Sequence, residues 1–213
     1  GIIDKMVKKI IKNGGEIIYE SKVTKICLDT ESLVEFIHYE KNQKENVIKV
    51  DGVISSMPIN IMTSLIENTD VKIEKMNYNR FLKYRSLVFV GLVINRENVL
   101  PATLTYFRDI SFNRITDLTS LGIQQKKRGI STIVAEITCD ITNSFWLDET
   151  IAKNRVIKDL IAKSIIKKSE IIDIHVYKLE HAYPIYAKGF NDGLKNIFDY
   201  LSKVPNLKTI GRN

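Results

Sequence analysis

The stretch that most constrains the fold of this chain is residues 50–60, which read VDGVISSMPIN. A short apolar run reaches Ser55 and Ser56 and stops at Pro58, and helical spacing follows in Ile59, Ile61, Met62 and Leu65. The pattern predicts a buried strand, a tight turn and a helix, because proline is tolerated in a helix's first turn. Small residues before the proline let the backbone come close either to a neighbouring loop or to a bound phosphate group. Both interpretations stay open on this stretch alone.

The remaining patterns predict a mixed α/β fold with long antiparallel components. A helix over 1–13 ends at Gly14 and Gly15, and Asp148 is placed to cap a later helix. A further amphipathic helix covers 190–201. Apolar, β-branched runs predict strands over 16–19, 22–28, 33–39, 47–50, 81–94, 104–107, 130–138, 171–179 and 207–210. Those at 81–94, 104–107, 130–138 and 171–179 are expected to pair in one sheet, flanked by helices.

Composition argues against several classes of function. The formal net charge is +7, but the 32 Lys and Arg are spread along the chain among 25 Asp and Glu, so no nucleic-acid surface is predicted. Cys27 and Cys139 lie far apart without a Cys-x-x-Cys pair, and there are three histidines, so no metal site is predicted. Free thiols favour a reducing, cytoplasmic protein, and no apolar run has the length of a membrane span. No Gly-x-Gly-x-x-Gly occurs after a strand.

Four segments in order resemble flavin-dependent amine oxidase-like proteins, in the branch near protoporphyrinogen oxidase and UDP-galactopyranose mutase. The first is a helix followed by GGEI and then KVTKI, and the second is DGVISSMP. The third is AYPIYAKGF before a helix, and the fourth is PNLKTIGR. The resemblance covers nearly the whole chain and implies an internal to C-terminal fragment. The N-terminal dinucleotide-binding motif and everything after the Gly-Arg are missing.

The resemblance implies a partial FAD-binding domain over 1–68, a substrate-binding domain over 69–187, and a return to the FAD-binding domain over 188–213. The full-length protein would be an FAD-dependent oxidoreductase that oxidises a small-molecule substrate by hydride transfer to flavin. A flavin-dependent sugar-nucleotide mutase is one alternative, and a non-enzymatic α/β binding module is another. The implied partners are the missing parts of the same polypeptide, and the fragment alone is expected to be inactive.

The resemblance also implies cofactor-binding residues. In the family, the valine matched by Val23 contacts the adenine end of FAD through its backbone, and the turn matched by Ser55, Ser56 and Pro58 lies close to the cofactor. The Gly-Arg pair that approaches the flavin is matched by Gly211 and Arg212. An ordinary core position for Val23 and a surface position for Arg212 are the alternatives.

Substrate-binding candidates come from the middle of the chain. Tyr183 and Tyr186 are placed where a strand ends, and their rings and hydroxyls suit the wall of a pocket over a flavin, although packing under a loop explains them equally well. Arg114, near Tyr106, suits an anionic substrate in an apolar cleft, and a solvated arginine is the alternative. No residue is predicted to be catalytic, because the flavin would carry the chemistry.

Overall fold

The computed structural model describes residues 1–68, 82–123 and 128–211. The chain divides into two compact units: the first unit is Gly1–Leu82 with Ala187–Asn213, and the second unit is Lys83–Tyr186. The helices are α1 (Ile2–Lys12), α2 (Ile59–Ser64), α3 (Ser144–Leu147), α4 (Glu149–Ala162) and α5 (Phe190–Leu201). The strands are β1 (Ser21–Leu28), β2 (Val34–Lys41), β3 (Lys44–Lys49), β4 (Val53–Ser55), β5 (Ile66–Asn68), β6 (Lys83–Ile94), β7 (Leu104–Tyr106), β8 (Arg114–Asp117), β9 (Ser131–Cys139), β10 (Ile171–Ile185) and β11 (Leu207–Thr209).

The first unit contains two sheets around one apolar core. Four strands pair in the order β3-β2-β1-β5, and β11 pairs in parallel with β4. The core takes side chains from β1, β2, α2, α5 and β11, among them Ile26, Val34, Ile59, Ile197 and Leu207. Helix α5 therefore buries one stripe in this core, as its 3.6-residue spacing predicts.

Asn206 connects both sheets of the first unit. Its Oδ1 accepts a hydrogen bond from Val34 N at 2.8 Å, and its Nδ2 donates to Val34 O at 2.9 Å and to Asp51 O at 3.0 Å. Its own carbonyl accepts from Val53 N at 2.8 Å. One side chain thus satisfies backbone groups that belong to no regular ladder.

Helix α1 ends as the paired glycines predict. Gly14 has φ +82°, its N–H donates to Ile11 O, and the Gly15 N–H donates to Ile10 O, which together form a Schellman motif. The helix has no buried side chain, and its apolar stripe is exposed. Its lysines occupy the remaining faces of the helix.

The second unit is built on one antiparallel sheet in the order β10-β6-β9-β8-β7. The predicted α/β class is confirmed, and so is the pairing of the four predicted strands, although Phe81 lies outside the described residues. All pairs of this sheet among the described residues are antiparallel, where a mixed, largely antiparallel sheet was expected. Helix α4 covers one face of the sheet with Ala152, Val156 and Leu160. We call the opposite face, which carries Phe89, Glu136 and Arg114, the open face.

The structure corrects two predicted strands of the first unit. Residues 16–19 form no strand, because Ser21 Oγ donates to Ile18 O and Glu20 turns the chain at φ +53°. The loop of the β2–β3 hairpin is shorter than the gap of residues 40–46 between the two predicted strands. Strands β2 and β3 continue to a two-residue turn in which Asn42 and Gln43 both have positive φ, the geometry of a type I′ turn.

Two aspartates fix α4 in the second unit. Asp148 Oδ1 accepts from Thr150 N at 2.7 Å, which confirms the predicted cap. Asp159, buried on the helix, accepts from Ser111 N at 2.9 Å and from Arg155 Nε at 3.2 Å through Oδ2. Burial alone raises the pKa of Asp159, but the hydrogen bonds from Ser111 and Arg155 together lower it below 3.8.

The lowered pKa of Asp159 predicts acid sensitivity. A depressed folded-state pKa stabilises the fold above the unfolded-state pKa, and this stabilisation is lost as the pH falls through the folded-state value. We expect Asp159→Asn to lower the free energy of unfolding by about 1–3 kcal/mol at neutral pH. The difference from wild type should shrink below about pH 4. Urea unfolding at a series of pH values measures this difference in the free energy of unfolding. A difference that stays constant down to pH 2 would contradict a lowered pKa of Asp159.

Candidate functional site

The strand β4 and the strand β11 end at the same edge of the first unit. They pair in parallel, with Thr209 opposite Ser55, and Ile210 N donates to Ser55 O at 2.9 Å. The carboxyl ends of adjacent parallel strands are where α/β folds commonly place ligands. The structure therefore brings two of the predicted sequence segments, around Ser55 and around Gly211, to one place.

The turn after β4 has the predicted strand–turn–helix form. Ser55 is buried, and its Oγ accepts from Met57 N at 3.3 Å. Pro58 is the N-cap residue of α2, and its carbonyl accepts from the N–H groups of Ile61 and Met62. Ser56, between them, is exposed. The turn thus offers a buried and an exposed serine beside the start of a short helix.

Two features of this edge favour a bound molecule. Asn60 Oδ1, in the first turn of α2, is buried and has no hydrogen-bond partner among the described residues, which is costly unless a donor comes from elsewhere. Gly211 has φ +103°, a conformation that side chains rarely adopt, and a Cβ added to it would lie 4.0 Å from Ser56 O. We call Ser55, Ser56, Pro58, Asn60 and Gly211 the strand-end site.

Val23, another predicted cofactor residue, lies apart from this group. Val23 is on β1 in the four-stranded sheet, half-buried against the core, beside an irregularity in the β1–β2 pairing between Val23 and Lys25. Its side chain is therefore part of the core packing, and its predicted role concerns the backbone. Arg212 lies outside the described residues.

A row of side chains crosses the open face of the second unit. Pairing places Tyr106 opposite Arg114, Arg114 opposite Glu136, Glu136 opposite Phe89, and Phe89 opposite Tyr177. Directly opposed residues lie on the same face of a sheet. One residue from each of the five strands therefore forms a continuous line, which we call the open-face row.

Arg114 is the charged centre of the open-face row. Its Nε donates to Glu136 Oε1 at 2.8 Å and its Nη2 donates to Oε2 at 2.7 Å, a bidentate pair in which Glu136 is buried. Its Nη1 donates to the Tyr106 hydroxyl at 3.5 Å, and its Cζ lies 6.0 Å from the Tyr106 ring centroid. The hydrogen bonds with Tyr106 and Glu136 raise the pKa of Arg114, with a smaller electrostatic contribution from Tyr183.

Tyr183 and Tyr186 lie at the end of a strand, as the sequence analysis expected, but the strand is longer than predicted. Strand β10 does not end near residue 179 but continues to Ile185, with a pairing irregularity between Leu179 and Tyr183. Tyr183 pairs opposite Arg85 on the open face, and Pro184 follows within the strand. Proline is tolerated there because β10 is an edge strand. Tyr186 comes directly after the strand and is exposed.

The sequence analysis missed Glu136, Asn60 and the strand β8. A signal for Glu136 was available, because a single carboxylate in the apolar run 130–138 must find a partner when that run is buried. Its identity as the partner of Arg114 depends on strand register and could not be read from the sequence. Asn60 carried no signal, since asparagine is common near helix starts.

The described part of the chain shows neither a metal centre nor a membrane span. No three His, Cys, Asp or Glu side chains among the described residues come together in a way that could hold a metal ion. Within the same ranges, no helix is both long enough and apolar enough to cross a bilayer. Cys27 and Cys139 are free thiols.

The fold is one that solved flavin oxidoreductases and mutases of the amine oxidase-like type share. No protein-family model matches the sequence, and no curated protein matches it. Similarity at this level of identity shows the fold alone.

Three solved structures illustrate the similarity. A reduced UDP-galactopyranose mutase matches with a TM-score of 0.73 and 17% identity, over 94% of this chain and 43% of that chain. A protein from Exiguobacterium sp. 255-15, provisionally assigned as a protoporphyrinogen oxidase, matches with a TM-score of 0.66 and 14% identity, over 98% and 45%. Putrescine oxidase bound to putrescine matches with a TM-score of 0.65 and 13% identity, over 95% and 45%. This chain spans less than half the length of each.

Proposed function

We propose that this chain is part of an FAD-dependent oxidoreductase of the amine oxidase-like family, in which hydride transfer to flavin oxidises a small-molecule substrate. The observation that carries the proposal is the strand-end site, where β4 and β11 end side by side at a serine–proline turn and a left-handed glycine. The similarity of the whole fold to solved enzymes supports it. In this proposal the protein is cytoplasmic.

The residues of the strand-end site fit one edge of FAD. The orphaned Asn60 Oδ1 is an acceptor for a hydroxyl group, Ser56 offers an exposed hydroxyl, and Gly211 lets the backbone approach without a side chain. Val23, through its backbone, and Arg212 complete the proposed contacts. When bound, FAD supplies the acceptor of the hydride, and these residues bind and orient it.

The proposal divides the roles between the segments of the chain. Residues 1–68 and 188–213 contribute to the cofactor-binding part, and residues 69–187 contribute to the substrate-binding part. The glycine-rich phosphate motif has no counterpart in the sequence, so other parts of the same polypeptide would supply the pyrophosphate contacts. Tyr106, Arg114, Tyr183 and Tyr186 are the proposed substrate-binding residues.

A sugar-nucleotide mutase that uses reduced flavin is the second candidate. The match to UDP-galactopyranose mutase, with a TM-score of 0.73, favours it. The two candidates share the strand-end site and differ in the substrate. The charge of the molecule that binds to the open face therefore distinguishes them.

Flavin retention tests the proposed function. We expect the natural protein that carries this sequence to stay yellow after dialysis against FAD and removal of the excess. The 213-residue chain alone should retain no stoichiometric flavin, because the backbone N–H groups of a glycine-rich turn are needed for the pyrophosphate. A natural protein that binds no flavin would overturn the proposal.

A matched pair of glycine variants locates the site. Gly211→Val in the natural protein is expected to weaken FAD binding about tenfold or more, since a side chain at φ +103° strains the backbone beside Ser56. Gly122→Val is the control, because Gly122 has a similar φ of +78° in the second unit with open space around it. Equal flavin affinity in both variants would contradict the assignment of Gly211 to the cofactor-binding site.

A further inference from the structure

Glu136 changes what Arg114 can recognise. The bidentate pair occupies the Nε and Nη2 edge of the guanidinium, and the carboxylate cancels its charge. Because Glu136 is buried and Arg114 is only partly exposed, water screens this pair weakly. The guanidinium therefore presents its Nη1 side alone, in a fixed orientation and as part of a neutral pair.

The Tyr106 hydroxyl completes a two-donor arrangement. It accepts from Arg114 Nη1, so its own proton is left to donate outward. The Tyr106 side chain is accessible to a ligand, since the residue is 68% exposed. An N–H of Nη1 and the O–H of Tyr106 together match the two oxygens of one carboxylate group.

The rest of the open-face row is aromatic. Phe89 lies two strands from Arg114, about 10 Å away at the usual strand spacing. Its ring centroid is 6.3 Å from that of Tyr177, which is 67% exposed. These rings form an apolar surface on which the body of a small molecule can stack.

We propose that the open-face row binds a molecule with one carboxylate group and an apolar or aromatic body, and that Glu136 is the positioning residue that sets this preference. The inference rests on the proposed function, because it names the substrate class of that enzyme. The carboxylate contacts Arg114 Nη1 and the Tyr106 hydroxyl, and an apolar chain of about 10 Å leads past Glu136 to an apolar or aromatic end that lies over Phe89 and Tyr177. The Glu136 carboxylate repels a dianion about twice as strongly as a monoanion, so the row disfavours the doubly charged diphosphate of a sugar nucleotide.

Three probes with one common body test the preference on the flavin-free chain. They are 7-phenylheptanoate, 7-phenylheptan-1-ol and 7-phenylheptyl phosphate, long enough to reach from Arg114 to Phe89, titrated separately while the NMR signals of Arg114 Nε–H and of the five strands are followed. We expect the carboxylate to bind more tightly than the alcohol and the phosphate, with shifts along the open-face row. Failure of all three to bind, or equal binding of the alcohol, would overturn the proposal.

Single-atom variants separate positioning from simple structural support. Tyr106→Phe should weaken binding of 7-phenylheptanoate about five- to tenfold, the effect of one hydrogen bond to a charged group. Tyr19→Phe is the matched control and should leave the affinity unchanged, since Tyr19 is an exposed tyrosine of the first unit and takes no part in the open-face row. Equal affinities in these two variants would contradict the assigned carboxylate position.

Glu136→Gln gives a readout that loss of structure cannot produce. Removing the negative charge leaves Arg114 with an uncancelled positive charge, so the ratio of carboxylate to phosphate affinity should fall about fivefold. An unchanged ratio in a folded variant would overturn the role of Glu136. If this variant does not fold, the Tyr106→Phe comparison decides alone. Flavin retention is measured without these probes, so its failure and the failure of this inference are distinguishable.

Discussion

Replacing Asn206 with alanine should lower the free energy of unfolding by about 3 kcal/mol. Three hydrogen bonds of its side chain, two with Val34 and one with the Asp51 carbonyl, are lost together. Each contributes about 1 kcal/mol, and the backbone groups of Val34 would be left partly buried without partners. Urea denaturation followed by circular dichroism measures the change in midpoint at constant slope.

Asn46→Ala is the matched control for Asn206→Ala. Asn46 makes one exposed hydrogen bond, from Nδ2 to Lys44 O at 2.9 Å in the β2–β3 hairpin. Its removal should change the stability by less than about 0.5 kcal/mol. Similar losses in the two variants would mean that Asn206 does not hold the two sheets of the first unit together.

Leu160→Ala should destabilise the second unit by about 2–5 kcal/mol. The side chain is fully buried on α4 within the core that the helix forms with the five-stranded sheet. The substitution removes its transfer free energy and leaves a cavity that neighbouring side chains fill only in part. Thermal or urea unfolding measures the loss.

Leu147→Ala serves as the control for the core substitution. Leu147 ends α3 and is 70% exposed, so its truncation should cost less than about 0.5 kcal/mol. A loss at Leu160 no greater than that at Leu147 would contradict the packing of α4 against the sheet.

Local signals allowed much of the fold to be predicted. The Asp148 cap, the paired glycines after α1 and the apolar stripe of α5 act within a few residues, and each corresponds to an observed helix boundary or face. The long strands were predicted because β6 and β9 are buried along most of their length. The serine–proline turn was predictable because its geometry depends only on residues within the turn.

Features that depend on distant partners were not predictable. Strand β8, Arg114–Asp117, has polar residues at both ends, and in the fold Arg114 pairs with Glu136 while the buried Asp117 accepts from Thr119 N through Oδ1. The extension of β10 was hidden because the irregularity after Leu179 breaks the alternation of its side chains. The open-face row likewise depends on the register of five strands.

The position of β10 at the edge of its sheet has a consequence for association between molecules. A strand of 15 residues that pairs on one side only within the described ranges is a template for another chain's strand and so for fibril growth. Irregular pairing near Ile171 and after Leu179 interrupts that template, and Pro184 has no N–H to offer. The strand is thereby divided into short lengths that a second copy cannot extend into a continuous ladder.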